Sequence, residues 1–299
     1  MNAKWKGKAA IFIGGQTISL FGSSLVQYAI TWHILLETQS GIIMTLSILC
    51  GILPTFLISF FAGVWADRYS RKMLIIISDS AIALTTLALA VLFLTGHNYL
   101  WLLFVALAVR ALGTGVQTPA VNAVLPQIVP KENLPRVNGL IQSIQSITML
   151  LSPMLSGGLL SFASIEIIFF IDVVTAFVAV MLLLFFLKIP LHAKALQNEK
   201  TGYFEDLKIG LRYINGHKFI KYFFVFFAFF SVLIAPVAFL TPLQVTRNFG
   251  DEVWRLSALE ISFSLGMIIG GLIYAVWGGF KNKIRMIAVT GIINSLFIA

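Results

Sequence analysis

The chain has 299 residues, 59% of them apolar and only 11% charged, and its mean hydropathy is +0.93. That balance excludes an ordinary soluble domain and marks a polytopic membrane protein whose first partner is the lipid bilayer. The net charge of +9 does not point to nucleic acid, because the bases sit in alternate loops, and the single Cys50 offers neither a disulfide framework nor a thiolate metal site.

Met1 to Lys8 carries three lysines ahead of an apolar stretch running from Ala9 to about Leu36. A secretory signal has an apolar core of only about 7 to 15 residues, so this stretch is the first membrane helix. A span needs about 20 mostly apolar residues with every backbone group paired internally. On that measure the spans are Ala9 to Leu36, Gly41 to Trp65, Met73 to Thr95, Tyr99 to Val121, Asn138 to Phe162, Glu166 to Leu187, Tyr222 to Thr246, Ser257 to Gly279 and Met286 to Ala299. The last is cut short. Eighteen of the 21 bases fall on the N-terminal side of the membrane, Arg247 and Arg255 on the other and Arg110 within a span. This asymmetry places the N-terminus in the cytoplasm.

Along the first span Gln16, Ser19, Ser23, Gln27 and Thr31 recur at steps of three and four, so they share one helix face. Asn138, Gln142, Gln145 and Ser152 do the same on the fifth. Such faces either bond between helices or line an aqueous cavity. Between the second and third spans lies Gly63-Val64-Trp65-Ala66-Asp67-Arg68-Tyr69-Ser70-Arg71-Lys72, which reads as a short charged loop. An acid and three bases, Asp67, Arg68, Arg71 and Lys72, give it internal pairing and a net positive sign, as expected of a cytoplasmic hinge.

Asp79, Arg110, Asp172 and Glu260 lie within or at the ends of spans, and a charge in the membrane is a functional hypothesis by default. Asp79, two turns after Lys72, is expected to complete a charge network at the cytoplasmic end. Asp172 and Glu260 fall within about two turns of the outer surface, where water reaches. A carboxylate that is dry in one state and wet in another changes its proton affinity, the physical basis of proton-driven exchange.

From Lys188 to Lys221 the composition changes. Phe204, Leu207, Leu211 and Ile214 oppose Glu205, Asp206, Lys208 and Arg212, the pattern of a surface helix at the inner membrane boundary. It divides the chain into an N-terminal six-helix bundle (1–188), a cytoplasmic linker (189–221) and a partial C-terminal bundle (222–299). Shifting the chain by 212 residues lays Val64-Trp65 on Val276-Trp277 and brings the helix starts into register, consistent with parallel repeats. The run Phe223, Phe224, Phe226, Phe227, Phe229 and Phe230 covers the whole circumference of a helix, so most of it faces lipid or neighbouring helices. No phosphate loop, no His-Glu-x-x-His and no cluster of metal ligands occurs in the sequence, and no cofactor or enzymatic activity is expected.

The pattern Gly63-x-x-Ala66-Asp67-Arg68-x-Ser70-Arg71-Lys72 resembles the signature loop of the major facilitator superfamily of secondary transporters. Arg110-Ala111-Leu112-Gly113-Thr114-Gly115 is similar to its fourth-helix motif, and Ser152-Pro153-Met154-Leu155-Ser156-Gly157-Gly158 to a fifth-helix motif of its drug antiporters, with Ser152 and Ser156 in place of two glycines. Thr118 to Pro126, Asn138 to Ser146 and Glu260 to Gly271 resemble bacterial macrolide efflux proteins of the drug:proton antiporter group.

The resemblance implies an all-α major facilitator fold, C-terminally incomplete with about nine of twelve transmembrane helices. It further implies a monomer in the bacterial plasma membrane that exports an amphipathic small molecule in exchange for protons by alternating access. Gly63, Asp67, Arg68, Arg71 and Lys72 would gate the conformational change, while Arg110, Asp172 and Glu260 would couple protons. Gln16, Ser23, Gln27, Thr31, Gln117, Gln142 and Gln145 would line the substrate cavity. Structural pairing of Arg110 with a carboxylate on a neighbouring helix is the alternative reading of that residue. Export of a siderophore or other metabolite is the alternative within transport, and a non-transporting membrane fragment or regulatory subunit is the alternative outside it.

Overall fold

Lipid cannot hydrogen-bond a backbone, so the long apolar runs have to become helices, and they do. The computed structural model describes residues 4–187, 212, 214–277, 280, 285–286 and 289–293. Its principal helices are α1 (Lys4–Thr38), α2 (Gly41–Arg68), α3 (Arg71–Leu94), α4 (Leu100–Ile128), α5 (Leu134–Phe162), α6 (Ile165–Met181), α7 (Lys218–Phe249) and α8 (Val253–Trp277). Eight helices among the described residues are long and apolar enough to cross a membrane. Most of the amphipathic segment within 189–221 and most of the ninth span lie outside the described residues, as do Lys281 and Lys283.

Helices overrun their apolar runs, because i to i−4 bonding continues where the chain leaves the apolar layer. Thus α4 ends at Ile128 rather than Val121, and α5 begins at Leu134 rather than Asn138. The same effect corrects the charged loop. α2 continues through Asp67 and Arg68, and α3 begins at Arg71, so the link is Tyr69 and Ser70 alone. Ser70 Oγ accepts the Met73 N–H at 3.5 Å as the N-cap of α3.

α1, α3, α4 and α6 carry two apolar clusters separated along the helix axes. One gathers Leu25 to Ile34 of α1, Leu89 to Phe93 of α3, Leu103 to Leu107 of α4 and Ile165 to Phe169 of α6. The other gathers Ala9 to Ile13, Ile75 and Ile76, Ala120 to Val129, and Leu183 with Leu187. The segments left between them hold Ser19, Asp79, Thr86, Arg110 and Asp172, all buried. A polar layer therefore crosses the middle of this helix group.

Glycines set how closely the helices approach. A Cβ on Gly115 of α4 would collide with Ile58 of α2 and lie 3.3 Å from the Thr55 backbone, and one on Gly113 would stand 2.7 Å from Ile82 of α3. The glycines of the fourth-helix motif are thus packing positions. Gly63 and Gly158 face open space by the same test.

α8 packs along α5, and α7 meets α2. Trp32, Leu35, Met44, Leu243 and Leu256 form a third apolar cluster there, where α1 ends, α2 begins, α7 ends and α8 begins. At the opposite end α7 stands clear: Phe219, Tyr222, Phe223, Phe224, Phe226, Phe227 and Phe229 are all exposed.

Gly115→Val is expected to lower the thermal unfolding temperature of the detergent-purified protein, by an overpacking cost of about 1–3 kcal/mol. Gly158→Ala, into open space, should leave it unchanged or slightly raised.

Candidate functional site

Arg110 and Asp172 form the centre of the polar layer. Both are buried, at 4% and 0% exposure, and Arg110 Nη1 donates to Asp172 Oδ2 at 2.5 Å. Arg110 Nη1 also reaches Thr86 Oγ1 at 2.6 Å, and Nη2 reaches the Ser23 carbonyl at 2.9 Å. Ser23 Oγ donates to Asp172 Oδ1 at 3.0 Å. Thr86 Oγ1 stands 3.0 Å from both Asp172 Oδ2 and the Ile82 carbonyl, and its one hydrogen serves either. One residue from each of α1, α3, α4 and α6 therefore meets at a single ion pair. Asp172, expected within reach of water, is instead sealed in this conformation by its partners.

Asp79 is 2% exposed and lies elsewhere in the layer. The expected pairing with charges at the helix ends does not occur. Ser19 Oγ and Gln117 Nε2 each donate to Asp79 Oδ1 at 2.8 Å, and Gln117 Nε2 also stands 3.3 Å from Gln16 Oε1. Lys72 turns away to the end of α6. The α-helix passes there into a π-helical turn, Leu182–Phe186, and Lys72 Nζ donates to the Leu184 carbonyl at 3.1 Å and the Leu187 carbonyl at 2.8 Å. The turn's altered bonding presents these carbonyls to a side-chain donor.

The other signature residues tie the helix ends together. Arg71 donates from Nε to the Ala66 carbonyl at 2.9 Å and from Nη1 to the Ala123 carbonyl of α4 at 2.6 Å, and it pairs with Asp67 at a looser 3.4 Å. Asp67, Arg68 and Gly63 are exposed.

Two cavities flank the polar layer. One, of about 140 Å³ between α1, α4 and α5, is lined by Gln16, Ser19, Ser23, Gln117 and Gln145 among others. The second, of about 450 Å³, lies between α1, α2, α4, α7 and α8, with Gln27, Tyr28, Thr31, Arg110, Phe239 and Glu260 in its wall. Tyr28 of α1 and Glu260 of α8 stand together in that wall and interact electrostatically across it. Gln142 is exposed and lines neither cavity. Of the fifth-helix motif, Ser156 Oγ donates to the Leu25 carbonyl at 3.1 Å, and Gly157 sits under Trp32 and Ser257. That stretch packs helices.

Thr86 and Tyr28 carry contacts that the sequence reading passed over. Thr86 had a signal: it follows Asp79 by seven residues, two turns along the same face of α3. Tyr28 had none, since its neighbour Glu260 is on a helix more than 200 residues away. Among the described residues no group of three or more His, Cys, Asp or Glu is placed to hold a metal.

The model of the Major Facilitator Superfamily matches residues 12–299. Macrolide efflux protein A of Streptococcus pyogenes is 29% identical over 286 residues, covering 96% of this chain and 70% of that protein. A protein of the same name from Enterococcus faecalis is 30% identical over 251 residues, covering 84% and 77%. The Staphyloferrin A transporter of Staphylococcus aureus is 24% identical over 268 residues, covering 88% and 65%.

Removing one partner of a buried ion pair leaves the other charge stranded, at a cost of about 3–5 kcal/mol. Arg110→Ala and Asp172→Asn are each expected to reduce the yield and unfolding temperature of purified protein, and Arg110→Met combined with Asp172→Leu to recover part of both.

Proposed function

The chain belongs to the Major Facilitator Superfamily, and from that premise we propose that this secondary transporter exports amphipathic, macrolide-like molecules in exchange for protons. The observation that carries the substrate class is the larger cavity. Its volume, about 450 Å³, lies within the range of roughly 300–1,000 Å³ typical of small-molecule sites. Its wall sets the amide of Gln27 and the hydroxyl of Thr31 among Tyr28, Trp32 and Phe239. Such a wall suits a large molecule with both apolar and hydrogen-bonding faces. The relatives named as macrolide efflux proteins agree with this choice.

Alternating access is supported by where the helices meet. With the N-terminus in the cytoplasm, as the distribution of bases argues, the cluster of Trp32, Leu35, Met44, Leu243 and Leu256 closes the outer end. The exposed inner half of α7 then leaves the cavity facing inward, the state that would load a substrate for export. Two bundles, 1–188 and 222–299, joined by the linker at 189–221, would rock about this contact. Asp67, Arg68, Arg71 and Lys72 would govern that movement from the α2–α3 end, because Arg71 and Lys72 hold backbone carbonyls of α4 and of the α6 terminus. Arg110 and Asp172 would couple it to protons, with Glu260 joining across the cavity through Tyr28. The staphyloferrin relative favours a second reading, export of a siderophore through the same cavity.

Cells expressing the chain should accumulate less radiolabelled erythromycin than controls, and a protonophore should abolish the difference. Asp67→Asn and Arg110→Ala should each slow extrusion about tenfold; unchanged extrusion by both removes their assigned roles, and a protonophore-insensitive wild type removes proton exchange.

The closure has its own check. An ideal Cβ on Gly157 would lie 3.4 Å from Ser257 Cβ, at the short edge of the disulfide spacing of about 3.5–4.5 Å. In a Cys50→Ser background, Gly157→Cys with Ser257→Cys should cross-link on oxidation and stop transport, and dithiothreitol should restore it. Full-rate transport by the cross-linked protein would rule out opening at that end.

A further inference from the structure

Asp79 and Asp172 occupy the same polar layer in opposite circumstances. Both oxygens of Asp172 are engaged, one by a guanidinium. Asp79 has no cation against it in the described structure. Its Oδ1 takes both of its hydrogen bonds, from neutral donors, and its buried Oδ2 has no partner. Beside it Gln16 Nε2 is also buried and has no acceptor. An unused acceptor and an unused donor thus sit together next to the 140 Å³ cavity, in whose wall Gln16, Ser19 and Gln117 stand.

The groups that face Asp79 are few. α1 presents Gln16 and Ser19, and α4 presents Gln117. α6 presents Asp172, whose charge Arg110 of α4 already matches. The nearest bases on α3 itself, Arg71 and Lys72, lie about 12 Å and 10 Å away along the axis and bond to carbonyls. Leaving an ionised carboxylate buried without a cation or a full set of donors is costly, and Oδ2 is the atom that lacks one.

We propose that Asp79 carries the exchanged proton on Oδ2, and that Gln16 trades this proton for a hydrogen-bond donor group of the substrate. The proposal rests on the proton-exchange reading above; the ion pair of Arg110 and Asp172 then positions the helices around the carrier and does not itself hold the proton. On release, the Oδ2–H bond breaks, its electron pair stays on oxygen, and the proton passes to solvent water in the cavity. Gln16 Nε2 then donates to Oδ2 in its place. A hydroxyl or ammonium of the substrate that extends from the larger cavity past Leu20, Ser23 and Thr114, which line both cavities, and bonds to Gln16 Oε1 displaces the long 3.3 Å contact from Gln117. This turns the Gln16 amide nitrogen toward Asp79. Substrate and proton therefore exclude each other at Asp79, the sign that exchange requires.

The experiment uses the full chain in two measurements. In infrared spectra of the purified protein, Asp79→Asn is expected to remove a protonated-carboxyl stretching band present in the wild type. In proteoliposomes, Asp79→Asn should lose accumulation of radiolabelled erythromycin driven by an imposed proton gradient while retaining gradient-free exchange of erythromycin across the membrane. Asp79→Glu should restore the drive, and Gln16→Leu should weaken the drive while keeping the band. A band untouched by Asp79→Asn, or gradient-driven accumulation that survives it, overturns the proposal. A wild type without gradient-driven movement instead overturns the exchange reading, and the infrared band then decides on its own whether Asp79 holds a proton.

Discussion

The ion pair between Arg110 and Asp172 fixes the helix group on which the cavities are built. Neither charge is tolerable alone in a bilayer, where central insertion of such a residue costs about 2.5–3.5 kcal/mol on biological scales. Ser23 of α1 and Thr86 of α3 add the hydrogen bonds that make the pair tolerable, and of the guanidinium and carboxylate atoms only Arg110 Nε is buried without a partner among the described residues. Four helices must therefore adopt one rotation and one depth together. The apolar clusters on either side supply contact area but little register, since a slipped Leu or Ile still meets another apolar side chain. Small residues make the convergence possible: a Cβ on Gly22 of α1 would collide with Thr175 and lie 3.2 Å from the Asp172 Cα.

Much of this was legible in the amino-acid sequence, for a reason peculiar to membranes. Lipid forces each span into one helix, so apolar runs alone give the number and order of α1 to α8. They do not give helix ends, because charge marks where the apolar layer stops and hydrogen bonding does not stop there. Asp67 and Arg68 are accordingly helical, not loop. The stripe on α1 was also legible, but its purpose divides along its length. Gln27 and Thr31 face the larger cavity, Ser19 serves Asp79, and Ser23 serves Asp172 while touching both cavities. A periodicity gives the face that is polar and leaves open whether a neighbouring helix or a ligand will meet it. Lys72 shows the limit most clearly. Its partners are one carbonyl on a π-helical turn and one just beyond it, a backbone feature that no side-chain spacing announces.

α1 contributes to the polar layer, to both cavities and to the third apolar cluster, so it is the element these parts share. Ser23 belongs at once to the ion-pair cluster and to both cavity walls. Five residues on, Tyr28 shares the larger cavity's wall with Glu260 of α8, and one turn further Trp32 lies in the apolar contact with Leu243 and Leu256. In the proposed rocking, parting that end would withdraw α8 from Trp32 and Tyr28 and leave α1 in contact with its own group. Whatever then loosens Ser19 or Ser23 changes the donors available to Asp79 and Asp172. If such coupling operates, it is reciprocal by linkage: a change of charge in the polar layer would alter the stability of the apolar contact in turn. One helix with polar groups about a turn apart thus joins a substrate-sized cavity to buried carboxylates.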